Sequence, residues 1–266
     1  MDGCALRRTV VMKLGGSVLT DEESYRNAAR FVVRRLHKCS QERFVVVVSA
    51  KKGITDELER IAKRITSYPS KRTLDLLWAT GELRSVALLT LHLEELGVSA
   101  VGFNIHETGL RFDGARSDEF GITSLSTELR RAFDDATVVV VPGFFATLMN
   151  GAVVSLGRGG SDLTAVLLAE ELEADQCELI KDVSGYFTND PNRDSEASHL
   201  PFLSYAQAVQ MADTGCELVH RQAIECAKGA GLRLVVRSLD EAAPSTVISK
   251  THASPNNGNG RAGSPQ

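Results

Sequence analysis

Six short apolar runs constrain the fold of this chain more than anything else in it: Thr9–Lys13, Arg43–Ser49, Val98–Phe103, Thr137–Val141, Glu178–Ile180 and Arg233–Arg237. They are rich in β-branched residues, and within them apolar side chains run continuously instead of alternating, as in Val45-Val-Val-Val48. A strand of that kind is buried on both faces, so the sheet needs cover above and below. Between the runs lie segments with helical spacing: Glu22–Cys39, Asp56–Ser67, Thr73–Leu96, Ser124–Phe133, Leu163–Glu173, Tyr205–Asp213 and Leu218–Ala230. Strands alternating with helices predict an α/β fold with a mostly parallel sheet. Ser204 and Gln207 have capping-box spacing at the start of the helix that carries Ala208 and Met211.

A length of 266 residues suffices for one large domain or two lobes around a substantial core. A net charge of -4 gives no reason to expect nucleic acid or an anionic membrane as a partner. No apolar stretch approaches the roughly 18 residues a membrane span requires, and the N-terminus lacks the pattern of a signal peptide. The cysteines, Cys4, Cys39, Cys177, Cys216 and Cys226, have no C-x-x-C spacing and read as free thiols in a reducing compartment. A cytoplasmic protein is expected. The Gly-, Asn-, Ser- and Pro-rich segment 251–266 is expected to be disordered. A lobe boundary is expected near Pro142–Gly151.

The densest chemistry lies in Ser155-Leu-Gly-Arg-Gly-Gly-Ser-Asp-Leu-Thr-Ala165, with the apolar run Ala152-Val-Val154 before it and the helical pattern of Ala165, Leu168, Ala169 and Leu172 after it. A glycine-rich turn leading into a helix offers backbone N–H groups and the positive end of a helix dipole, which together suit an anion. Arg158 adds a planar fork that matches a carboxylate. A second segment, Lys13-Leu-Gly-Gly-Ser17, follows the first strand. Its glycines allow a close backbone approach, and its lysine fits either a phosphate or plain solvent. It is not a Walker A loop. A third, Val45–Leu58, runs a buried strand into a small-residue loop, where Ser49 and Thr55 fit either a ligand at the strand end or a helix cap. In Ala79-Thr-Gly-Glu82, a glycine inside a helix costs about 1 kcal/mol against alanine, which signals a close approach. Glu82 there fits either an amino group or the surface. In Lys181–Pro191, charged residues precede Tyr186 and Phe187, which suit a stacked base or a loop anchor. The histidines show no metal spacing, and no serine sits in a nucleophile elbow.

Taken in order, these segments resemble the amino acid kinase family and, within it, the aspartate kinase catalytic domain. Lys13-Leu-Gly-Gly-Ser-Val18 is similar to its K-F-G-G-[ST] opening, and Val47-Val-Ser-Ala50 with Gly53-Ile-Thr55 to its V-V-S-A-x-x-G-x-T. Gly81-Glu82 matches its helical G-E. Leu156-Gly-Arg-Gly-Gly-Ser-Asp162 is its L-G-R-G-G-S-D. Asp182-Val-Ser-Gly185 through Asp190-Pro191 resembles D-V-x-G-x-x-T-x-D-P. Leu203–Ala208 and Val235–Ser238 also match. The resemblance spans roughly Val10 to Ser249.

It implies a three-layer αβα sandwich in two lobes, about 1–150 for the amino acid and about 151–250 for ATP. It also implies transfer of a phosphoryl group from ATP, with Mg²⁺, to the side-chain carboxylate of L-aspartate or a close analogue. Lys13 and Asp162 would be catalytic. Ser49, Thr55, Glu82, Arg158 and Ser161 would hold the amino acid, Arg158 on its α-carboxylate and Glu82 on its ammonium. Lys13, Gly15, Gly16, Ser17, Gly159, Gly160, Lys181, Asp182 and Phe187 would face ATP. The metal ligands are left open, and a homodimer is expected. A kinase of a related amino acid or small carboxylate, and a non-catalytic regulatory subunit, are the alternatives. The chain departs from the family pattern at four places, one of them Phe187, where tyrosine is common. No ligand-sensing ACT domain is recognisable after Lys250, so no in-chain feedback is expected. Glu217 stands where the family often has lysine, setting a carboxylate against the phosphates. The segment Phe103–Gly121 matches poorly.

Overall fold

The computed structural model describes residues 8–39, 41–112, 127–191 and 193–251. In chain order the elements are β1 (Arg8–Leu14), α1 (Glu22–Lys38), β2 (Glu42–Val48), α2 (Ile54–Ile65), α3 (Lys71–Glu95), β3 (Ala100–Gly102), α4 (Thr127–Asp135), β4 (Val138–Pro142), β5 (Phe145–Thr147), β6 (Val153–Ser155), α5 (Gly160–Glu171), β7 (Gln176–Ile180), β8 (Phe202–Leu203), α6 (Tyr205–Asp213), α7 (Arg221–Ala230), β9 (Leu234–Arg237) and β10 (Thr246–Ile248). The expected strands and helices are all present, with ends shifted by a few residues. The start of the Ser124–Phe133 helix, much of Phe103–Gly121, Cys4 and the segment from residue 252 on lie outside the described residues.

Eight strands form one sheet in the order β3-β4-β2-β1-β7-β9-β10-β8. β1 is parallel to both β2 and β7, and β4 and β9 extend the parallel run on either side. Only β10 against β9 is antiparallel. The continuous apolar strands are explained by two separate cores. One face packs Val11, Val45, Val139 and Leu179 against α5, α6 and α7. The other packs Met12, Val46, Val140 and Ile180 against α1 and α3. The sheet is therefore the middle of three layers. The Ala152–Val154 run does not join it. As β6 it pairs antiparallel with β5 in a separate two-stranded sheet, because Phe144 (φ 71) turns the chain away from β4. The Ser204 and Gln207 capping box at α6 forms as expected. No helix among the described residues is long and apolar enough to cross a membrane.

The apolar strands hide one charged cluster. Glu178 of β7 is 1% exposed and takes both guanidinium nitrogens of Arg35 on α1, at 2.6 and 2.8 Å. Gln176 donates to it at 2.7 Å, and Arg237 approaches to 3.9 Å. Glu42 adds a second carboxylate at 3.5 Å from Arg35. This network fixes α1 to the sheet through charge, which apolar patterning does not reveal. Glu178→Gln should leave two buried guanidiniums under-neutralised and cost about 2 kcal/mol in a urea melt. A loss under about 0.5 kcal/mol would mean the cluster is solvated.

Candidate active site

Strand order reverses at β1: β2 and β4 lie on one side of it and β7 and β9 on the other. The carboxyl ends of strands at such a switch point form a crevice in α/β sheets. Here that crevice gathers Lys13 and Gly15 from the end of β1, Ser49 after β2, Gly143 after β4, and Lys181 after β7. The glycine-rich turn completes it. Gly157 and Gly159 take left-handed backbone, at φ 80 and φ 74. Gly159 is the N-cap of α5 and supplies no side-chain cap, so no side chain from that position covers the helix start. Gly160 is pressed on Phe144, whose ring carbon would lie 2.8 Å from an added Cβ.

Asp162, in the first turn of α5, is 5% exposed and sits between two lysines. Lys13 Nζ lies 2.9 Å from its Oδ1. Lys181 Nζ donates to both of its oxygens, at 3.1 and 2.9 Å. Burial alone would raise the Asp162 carboxyl, but the two ammonium groups outweigh it and hold the group well below the usual carboxylate range. Asp162 is thus an anionic tether with no proton to exchange. Burial lowers Lys181, aided by repulsion from Lys13 and opposed by Asp162. Within this triad two cations face one anion, and the charge of Asp182 also acts on Lys181.

A Cβ on Gly15 would stand 3.0 Å from Lys13 Nζ, and one on Gly16 would stand 3.0 Å from the Ala50 carbonyl. These glycines keep the space beside the ammonium open and let the two loops touch. Glu82 of α3 is 4% exposed. Burial pushes its carboxyl up to about 8, against a hydrogen bond from the Ala50 backbone and the charge of Lys13. Its Oε2 is buried without a partner. The close approach expected at Gly81 is real: an added Cβ would be 2.9 Å from Ile54 Cγ2 and 3.1 Å from Ala50 Cβ. That contact sets α3 against the Ser49–Thr55 loop and carries Glu82 into the crevice.

Ser161 is buried, and Gly143 touches it: an added Cβ there would lie 2.8 Å from Ser161 Cβ. Ser17 and Ser49 are half-buried on the same loops. Beyond Lys181 and Asp182, a cavity of about 560 Å³ is lined by Gly185, Tyr186, Phe187, Met211, Gly215 and Leu218, among others. Phe187 is held edge-on by His199, with centroids 5.3 Å apart.

Arg158 does not join the buried cluster. Its side chain is 81% exposed and lies 3.5 Å from Glu217. Glu217, expected to oppose the phosphates, thus has a cation of the glycine-rich turn beside it. Two residues that sequence reasoning passed over also shape the site. Phe144 adopts φ 71, donates its N–H to Thr164 at 3.1 Å and packs on Trp78. A positive φ at a non-glycine residue marks stored strain, but nothing in the letters Pro-Gly-Phe announces it. His220 packs on Gly159, where an added Cβ would be 2.2 Å from its ring. That proximity joins segments far apart in sequence.

The model of the amino acid kinase family matches residues 8–238. An aspartokinase of Thermus thermophilus is 39% identical over 239 residues, covering 90% of this chain and 58% of that protein. The chain therefore spans little more than half the length of such relatives. The structure of aspartate kinase from Synechocystis superposes with a TM-score of 0.79 at 31% identity, over 93% of this chain and 40% of that one. Aspartokinase III of E. coli, in complex with aspartate and ADP, superposes at 0.76 with 26% identity, over 93% of this chain and 66% of that one.

Proposed function

The chain belongs to the amino acid kinase family, and from that premise we propose that it transfers the γ-phosphoryl group of ATP to the side-chain carboxylate of L-aspartate, forming L-4-aspartyl phosphate. The observation that carries the reading is the Lys13–Asp162–Lys181 cluster at the strand-end crevice, one loop away from the buried Glu82. The acceptor carboxylate is ionised at neutral pH, with an ordinary pKa near 3.9. It attacks phosphorus directly: one P–O bond forms to aspartate and one breaks to release ADP. No base is needed, and the work is positioning and charge stabilisation. Lys13 and Lys181 supply charge where the transferring oxygens gather, and Asp162 keeps both ammonium groups aimed there.

Glu82 takes the substrate ammonium, with Ser49, Thr55 and Ser161 around it. Arg158 takes the α-carboxylate by leaving Glu217. Gly15, Gly16, Ser17, Gly159 and Gly160 line the phosphates, with Lys181 and Asp182 beside them, and Phe187 borders the base in the cavity that follows. In this reading residues to about 150 serve mainly the amino acid, and 151–250 mainly the nucleotide. Among the described residues no group of three or more His, Cys, Asp or Glu converges as a metal cage. Mg²⁺ would be held chiefly by phosphate oxygens and water, with Asp182 available as a carboxylate of the chain. The free thiols Cys39, Cys177, Cys216 and Cys226 suit a cytoplasmic setting, and we propose a homodimer.

Incubation with MgATP and aspartate, trapped with hydroxylamine, should yield aspartyl hydroxamate. Its absence with aspartate, alongside a product from another amino acid or small carboxylate, would replace this reading with one for that substrate. The exposed Arg158–Glu217 pair is the observation that keeps such a substrate in view. Nucleotide binding without turnover of any acceptor would indicate a regulatory subunit. Arg158→Ala should raise the KM for aspartate about tenfold, the scale of one charge-assisted hydrogen bond, and leave the KM for ATP nearly unchanged. An unaltered aspartate response would remove Arg158 from the site.

A further inference from the structure

One face of α3 carries three buried polar atoms without a partner. Lys71, Asp75, Trp78 and Glu82 follow the i, i+4, i+7, i+11 spacing of a single helical stripe. On it Asp75 Oδ1, Trp78 Nε1 and Glu82 Oε2 are all buried and unpaired. The stripe lies against the end of β6: Lys71 Nζ donates to Asp75 Oδ2 at 2.6 Å and to Ser155 Oγ at 2.9 Å. Trp78 packs among Ala79, Ile105 and Phe145, with its ring centroid 6.5 Å from that of Phe144. Phe144 in turn presses on Gly160 at the start of α5. Trp78 thus stands one turn of α3 from Glu82 and one side chain from the glycine-rich turn. A buried indole N–H with no acceptor is costly, and the phosphoryl transfer described above gives this one no use.

We infer that Trp78 is a substrate-binding residue whose indole N–H donates to the α-carboxylate of the amino acid whose ammonium Glu82 holds. An indole nitrogen only donates, and an ionised carboxylate only accepts. Side chains four apart on a helix stand about 5–6 Å apart at Cβ, yet Trp78 Nε1 and Glu82 Oε2 do not pair with each other. A zwitterion satisfies both. An α-amino acid carries a donor and an acceptor on one carbon, and a hydrogen bond of about 2.9 Å at each end lets it bridge neighbouring side chains. A simple dicarboxylate offers Glu82 no donor, and a simple amine offers Trp78 no acceptor, so the pair selects a free α-amino acid. Asp75 is the other acceptor on the stripe. No hydrogen bond joins it to Trp78, and Lys71 offsets its charge. Arg158, 81% exposed, reaches the same carboxylate from the solvent side, while Trp78 meets it from the helix wall. The inference rests on the reading of Glu82 as the ammonium partner.

Trp78 is the only tryptophan of the chain, so binding can be read without turnover. Aspartate added to the nucleotide-free protein should change the tryptophan emission saturably. Succinate, which is aspartate without its amino group, should not. Trp78→Phe keeps an aromatic ring and removes the N–H. It should raise the KM for aspartate about tenfold, the scale of one charge-assisted hydrogen bond, with kcat, the KM for ATP and the melting temperature nearly unchanged. The parent should prefer aspartate to its α-amide, and that preference should fall several-fold in the variant. A packing role of the indole would not move that ratio, which decides the matter where the emission is silent. Hydroxamate formation by the parent, with an unchanged aspartate KM and α-amide ratio in Trp78→Phe, would overturn this inference and leave the kinase reading standing. A saturable emission change without hydroxamate would overturn the kinase reading and leave the amino-acid site. Neither emission change nor hydroxamate would overturn both.

Discussion

Lys13→Met is expected to lower the rate of hydroxamate formation by about three orders of magnitude, the scale measured when one preorganised charge is removed from a developing transition state. Methionine keeps the length and the buried apolar stem of the side chain. Lys181 still holds both oxygens of Asp162, so the fold should survive and the melting temperature should change little. What is lost is one of the two cations of the triad: two against Asp162 become one against one. The effect should fall on kcat, because the charge matters most when the phosphoryl group is in flight. Lys13→Arg should not rescue it. The space beside the amine is only as wide as Gly15 leaves it, with a Cβ there 3.0 Å from Nζ, and a guanidinium fork exceeds it. A normal kcat in Lys13→Met would leave the lysine as a structural partner of Asp162 and nothing more.

The second expectation concerns pH. Burial pushes the carboxyl of Glu82 up to about 8 from an ordinary 4.5. Only the ionised form can hold an ammonium, so the KM for aspartate should fall as pH rises. The limiting slope is about tenfold per unit, which amounts to about fiftyfold between pH 6 and pH 8, followed by a plateau. In Glu82→Gln the slope should vanish and the KM should stay high throughout. The same shift has the opposite consequence for stability. A carboxyl whose folded pKa is raised takes up a proton on folding. Its contribution is full below pH 4.5 and is lost as pH rises through about 8. Glu82→Gln should therefore melt at a higher temperature than the parent above pH 8, while binding aspartate less well. A KM that is flat with pH in the parent, or a variant that melts lower at alkaline pH, would place Glu82 outside the amino-acid site.

Much of this architecture is legible in the letters because it depends on local rules. Val45–Val48 reads as a two-faced strand, since a buried parallel strand has no polar face to offer. Ser204 and Gln207 read as a cap, since the bond spans a single turn. The turn Gly157–Gly160 reads as an anion cradle, since left-handed backbone calls for glycine. Gly81 announced a close approach, although the neighbours turned out to be Ile54 and Ala50 of the chain itself. Charge pairing is different. Glu178 reads as one more strand residue until Arg35 and Arg237 meet it under α1. Arg158 and Glu217 read as residues with separate duties until they lie side by side.

The sequence by itself determined the layers of this protein, the order of its strands and helices, and the glycine-rich turns where an anion can approach, because periodicity and backbone freedom are written within a few residues of one another. Only the tertiary structure decided which charges meet. Lys13, Asp162 and Lys181 come from β1, α5 and the end of β7, and they converge because β1 lies between β2 and β7 in the sheet. The strength of that cluster, the raised carboxyl of Glu82 and the unpartnered N–H of Trp78 all depend on burial and on distance in space. Those quantities exist only once the chain has closed on itself.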